Sequence, residues 1–337
     1  MSDTHFVNGP INVIRLENTS DYANKKVLYI FMDRHTRDSK CDDGDNIDID
    51  NFFANEFSTI ESSDNLVLDF FMEIEPIELV QGLNSKQTTY IGSVSDFFSQ
   101  GFGKYINIRF HAVDIRRIQY NLYKLLQGNP GKESLDHIMK IISHLYKSLF
   151  ENMEETAQND ANIFDQDTRK VVSKVMHKIG YKYKNPDIKN KVNTLLDHYV
   201  KPLFSDVANG LFMLTGYVSE ELLSNIKLNI LVLLSDIMDI YILRRFLDKD
   251  YVSNAVTYLG ADHGVHLVYL LVKYFDFSIT HMAKPEKFSK KDSLSKLNQF
   301  ILQSSNFLSF YQAFSAIIGM ERSIQCCDMR IFPQNFR

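Results

Sequence analysis

Tryptophan is absent from these 337 residues, and proline and glycine are scarce, at 7 and 14. Asparagine, isoleucine, lysine, aspartate and tyrosine are abundant instead, a bias typical of an AT-rich genome such as that of a large DNA virus or a protozoan parasite. Only three cysteines occur, Cys41, Cys326 and Cys327. That number fits reduced thiols in an intracellular, cytoplasmic setting better than a disulfide framework. Cys326 and Cys327, which could hold a metal with Asp328, read as ordinary residues near the C-terminus. No long run of Lys or Arg is present and the net charge is −5, so no nucleic-acid partner is expected. The opening MSDTHFVNGP lacks the basic-then-apolar order of a secretory signal. The most apolar stretch, Leu228 to Leu243, is interrupted by Asp236 and Asp239, whereas a spanning helix needs about 20 apolar residues. No membrane segment is expected.

What is present is a large apolar fraction, 45%, with 23% charged residues, enough to bury a core. Val27 to Met32 is a short apolar run of the kind buried on both faces of a sheet, ending at Asp33-Arg34-His35. Leu66 to Met72 repeats the pattern and ends at Glu73-Ile74-Glu75-Pro76, where the proline stops regular structure. Tyr105 to Val113 alternates and ends at Asp114. Helical spacing then dominates, with helices predicted over Ser134–Asn152, Asp187–Phe204 and Ser219–Leu247, the last capped by Ser219. Strand character returns at Ala255–Leu259, a helix follows His263 to about Tyr274, and Phe277–Thr280 is a further strand. The expectation is one α/β domain over 1–337. Its mainly parallel central sheet is flanked by helices, with a large helical insertion over about 134–250.

In such sheets ligands bind beyond the carboxyl ends of the strands, and here those ends are polar. Asp33 and His35, two apart, can share a proton or a metal, or simply begin a solvated loop. Glu73 and Glu75, two apart in extended chain, face one side and need a cation, an arginine or a proton between them. Asp114 is either a site acid or the N-cap of the next helix. Asp236 and Asp239, three apart on an apolar helix, share a face; a buried carboxylate requires a partner such as an arginine, a histidine or a metal. Gly260-Ala261-Asp262-His263-Gly264-Val265-His266 joins a strand to a helix through small residues, with His263 at the turn and His266 one helical turn on. Neutral imidazoles there can ligate metal or move protons.

This order of motifs resembles the erythromycin-esterase/ChaN-like superfamily, which includes the TIKI and TraB proteins. Met32-Asp33-Arg34-His35 stands where that group has Gly-Glu-x-His. Glu73 or Glu75 would match its second-strand acid, Asp114 its third-strand acid, Asp236 its helix acid, and Gly260-Ala261-Asp262-His263 its late GAxH. The resemblance implies a hydrolase of a small-molecule or peptide substrate, using a divalent metal ion. His35, Glu73, Glu75 and His263 would be the catalytic set, with Asp33, His35, Asp114, Asp236, His263 and His266 as metal ligands. Such an ion would lower the pKa of bound water. The alternative is an inactive member of the same fold acting as a binding or structural protein, which the altered first motif and the load of 17 Tyr and 25 Phe suit.

Overall fold

The computed structural model describes residues 6–18, 25–37, 40–42, 45–62, 66–75, 89–101, 103–127, 130–153, 166–214, 219–283, 294–320, 324–330, 332–333 and 336, without the side chains of 117 and 166–171. Pro76 and the lysine-rich stretch after Ala283 lie outside them. The chain divides into two compact units, Met1–Val113 with Asp250–Arg337, and Asp114–Lys249.

Strands are β1 (Phe6–Asn8), β2 (Asn12–Asn18), β3 (Val27–Asp33), β4 (Asn46–Asp48), β5 (Leu68–Met72), β6 (Ile108–Ala112), β7 (Asn254–Gly260), β8 (Phe277–Ala283) and β9 (Cys326–Asp328). Helices are α1 (Ile49–Glu61), α2 (Tyr90–Gln100), α3 (Arg117–Leu125), α4 (Lys132–Phe150), α5 (Gln166–Tyr181), α6 (Pro186–Leu195), α7 (Lys201–Met213), α8 (Glu220–Leu247), α9 (Ala261–Tyr274), α10 (Leu294–Gln303) and α11 (Phe307–Ile318). A π-helical turn, Leu196–Val200, joins α6 to α7.

The first unit is a mixed α/β layer structure. Its main sheet has the order β6-β5-β7-β3-β2-β8. β6, β5, β7 and β3 are parallel neighbours, whereas β2 is antiparallel to both β3 and β8. All seven residues of β3 are buried, because both sheet faces are covered. On one face Tyr29 and Phe31 join Phe53 and Phe57 of α1 and Phe70 of β5 in an aromatic core. Truncating a side chain as deeply buried as Phe53 typically costs about 3–5 kcal/mol. On the other face α9 lies so close that a Cβ on Gly264 would sit 2.6 Å from the Met32 side chain.

A second, three-stranded sheet of order β4-β1-β9 was not predicted, nor was β2. The segments of the small sheet are three residues long, too short to show periodicity. β2 (NVIRLEN) carries polar residues throughout, and buried Arg15 reaches the Tyr29 hydroxyl and Thr280 Oγ1.

The small sheet also corrects the reading of the cysteines. Cys41 and Cys326 form a disulfide across 285 residues, a pairing that spacing cannot reveal. Cys327 is buried as a free thiol against the Pro10 carbonyl.

The second unit is helical among the described residues, from α3 to α8. Its long helix α8 starts as predicted, with the Ser219 side chain accepting the Leu222 N–H. No helix among the described residues is long and apolar enough to cross a membrane.

Candidate functional site

Three parallel strands, β3, β5 and β7, end side by side, and polar residues lie at or just past each end. β3 runs into Asp33, whose buried carboxylate accepts the His35 main-chain N–H at 2.9 Å. That turn puts His35 in the left-handed region, φ 57°, an uncommon conformation for a side chain with a Cβ. The local hydrogen bond and two flanking carboxylates hold it there. β5 stops at Met72, and the Ile74 N–H turns back to the Met72 carbonyl at 2.8 Å. The chain is therefore not extended through Glu73 and Glu75 as expected. Glu73 turns into the cluster, while half-buried Glu75 follows the bend. β7 ends at Gly260, and α9 begins directly, with His263 in its first turn.

Glu73 is the hub. Its side chain is 4% exposed, with Oε2 3.6 Å from His35 Nε2 and Oε1 3.5 Å from His263 Nε2. Oε2 also accepts the Gly260 N–H at 2.5 Å. Gly260 must be glycine for space: a Cβ there would lie 2.7 Å from His35 Nε2 and 3.2 Å from Glu73 Oε2. On its far side, the His35 ring has Nδ1 3.3 Å from Asp33 Oδ2. The result is a row, Asp33–His35–Glu73–His263, in which acid and imidazole alternate.

The row fixes the charge of His35. Burial pulls its ring pKa down, but hydrogen bonding and charge from Asp33 and Glu73 outweigh burial and push it up to about 10. His35 is thus an imidazolium at neutral pH, its side chain 44% exposed at the mouth of the cluster. Behind it, burial and then the Asp33 charge raise the Tyr258 phenol well above its ordinary range.

The two ring nitrogens of His35 each face a carboxylate oxygen. Among the described residues, these four side chains do not offer three donor atoms within 4.8 Å of one another.

His266 is buried one turn beyond His263, its ring 4.7 Å from that of Phe307. In the helical unit, Asp114 does not cap the next helix, which begins at Arg117 after Arg116. Its Oδ1 accepts the Arg116 N–H at 2.8 Å and its Oδ2 meets the same guanidinium at 2.9 Å. Also in that unit, Asp236 is half-buried and Asp239 is 1% exposed on α8, with carboxylate oxygens within 4.8 Å of each other.

A model for a family of unknown function, DUF5847, matches residues 5–126 and 212–337. The chain belongs to that family. Two curated relatives from Acanthamoeba polyphaga mimivirus align along nearly the whole chain. The uncharacterized protein R706 is 27% identical, covering 99% of this chain and 98% of its own length. R161 is also 27% identical, covering 98% of each. A shorter one, R129, is 31% identical over 174 residues, which is 42% of this chain and 98% of R129. No solved structure matches the chain. The DUF5847 segments contain every residue of the cluster and omit 127–211 of the helical unit.

Two participants escaped the sequence reading. Tyr258 looked like one more strand residue, although it lies two positions before Gly260. Gln325 had no signal at all, being 292 residues away from Asp33, to which its side chain donates.

Proposed function

We propose that this DUF5847 protein is a hydrolase that activates water by acid–base chemistry at the Asp33–His35–Glu73–His263 row. The observation that carries the reading is Glu73, nearly buried and held between two imidazoles beyond the carboxyl ends of parallel strands. In this mechanism Glu73 orients His263 through Nε2, and His263 removes the proton from the attacking water. His35, an imidazolium with one ring nitrogen on Asp33 and the other on Glu73, holds the Glu73 carboxylate in place for this task. His263 then returns the proton to the leaving group. The sequence resemblance to erythromycin-esterase/ChaN-like proteins supports an ester or peptide substrate of small size, and we read the helical segment of about 134–250 as an insertion between the two halves of the sheet-bearing unit. The second reading, a fold of this type serving as a binding protein, draws on Asp33, whose two oxygens are engaged by His35 and Gln325.

The test compares His263→Ala with His266→Ala on a panel of esters and peptides, with melting temperature measured alongside. His263→Ala should lower the rate about a hundredfold or more, as loss of an acid–base group does, with little change in melting temperature. His266→Ala should instead lower the melting temperature through its lost packing on Phe307. Absence of turnover by the wild-type protein across the panel would leave the binding reading standing.

A further inference from the structure

We propose that Gln325 is a positioning residue for the Asp33–His35 pair, and that the Cys41–Cys326 disulfide fastens it in place. The inference deepens the acid–base reading of the site and rests on it. Gln325 is fully buried. Its Nε2 donates to Asp33 Oδ1 at 3.0 Å and to the Gly9 carbonyl at 3.1 Å. Its Oε1 accepts the Thr36 hydroxyl at 3.0 Å. One amide therefore grips both sides of His35 in sequence, Asp33 before it and Thr36 after it. By occupying Oδ1 it leaves Oδ2 for His35, where that oxygen meets both the main-chain N–H and the ring Nδ1. The plane of the Asp33 carboxylate, and with it the tilt of the His35 ring toward Glu73, is set by Gln325.

The main chain of Gln325 is held too, its carbonyl accepting the Gly9 N–H at 3.1 Å. The strand that follows it, β9, is an edge of the small sheet and pairs with β1 over three residues. The very next residue, Cys326, is bonded to Cys41, five residues past Thr36. Both cysteines are buried against Phe6, and the Cys41 N–H is held by Asn8 Oδ1 at 2.7 Å. The bond and the Gln325–Thr36 hydrogen bond thus tie the same two segments together at successive points. A cross-link over 285 residues also serves stability, so a melting temperature does not separate the roles, and a signature of His35 does.

The experiment labels the ten histidines of the full chain with 15N and records their ring-nitrogen resonances at pH 8. Wild type is compared with Gln325→Leu and with the Cys41→Ser, Cys326→Ser double variant. His35→Asn identifies the signal. The His35 Nδ1 resonance should move in both variants, as its contact with Asp33 Oδ2 loosens, while His281, on β8, stays put. If His35 is unmoved in folded Gln325→Leu, the positioning role is wrong. If only the double variant leaves it unmoved, the disulfide is no fastener. Should Gln325→Leu fail to fold, Thr36→Val decides the first point, because it removes the hydroxyl that orients the amide: a shifted His35 supports the role and an unshifted one overturns it. The reading of the site as hydrolytic fails separately, by absence of turnover, and does not affect these spectra.

Discussion

Glu73→Gln is the most informative substitution, because it keeps the shape of the hub and removes its charge. In the wild type His35 holds its proton up to pH about 10, whereas in the unfolded chain an imidazole releases it near about 6.5. Below the lower value both states are protonated and the His35 contribution to stability is complete. Between the two values the folded protein carries a proton that the unfolded chain does not, so stability falls as pH rises, by at most about 1.4 kcal/mol per unit for one group. The His35 side chain is 44% exposed, and solvent screening reduces the whole effect to on the order of 1–2 kcal/mol. Removing the Glu73 charge should take roughly half of that, since Asp33 remains on the other side of the ring. Denaturant unfolding at pH 6, 7.5, 9 and 10 should therefore show a shallower decline for Glu73→Gln than for wild type, with the two curves farthest apart at pH 6. NMR should place the His35 titration lower in the variant. Parallel stability curves, or a wild-type His35 titrating near 6.5, would refute the charge-clamped imidazolium.

Gly260→Ala should displace His35 from Glu73, given the 2.7 Å approach to Nε2, and lower hydrolysis at least tenfold. Unfolding should report a loss of only about 1–2 kcal/mol, since the far end of a half-exposed ring can move; full activity would mean that the His35–Glu73 pair is dispensable. Asn12 is fully buried, and neither atom of its amide finds a hydrogen-bond partner among the described residues. Asn12→Leu should raise stability by about 1 kcal/mol in denaturant titrations, and a fall would show that the amide is engaged after all.

The strands around the cluster were legible because burial on both faces writes itself into sequence as short apolar runs. VLYIFM and AVTYL pair as neighbours, Val27 opposite Asn254 and Asp33 opposite Gly260. That pairing brings His35 and His263 to one edge across more than two hundred residues. The polar residues Asp33, His35, Glu73 and His263, at or just past the ends of these strands, therefore come together there. Less legible was anything set by a short or bent segment. Glu73 reaches the hub through a turn at Met72 rather than along a strand, so its likeness to Glu75 in spacing was misleading. Asp114 was spent on Arg116 two residues away. Gln325 and Cys326 act through partners near the other end of the chain, and no local pattern encodes a partner at that distance.

The position of β7 has a consequence for how the molecule is made. It lies between β3 and β5, yet it follows both in sequence, with the whole helical unit intervening. Until residue 254 has been synthesised, β3 and β5 have no strand to share, and each presents an apolar edge. Such edges invite pairing with other chains. A sheet completed from its middle by a late arrival also has high contact order, which slows folding. The helical unit, made of local contacts, can form first while the sheet waits. Premature termination anywhere before β7 should yield sticky, insoluble fragments rather than a smaller working domain.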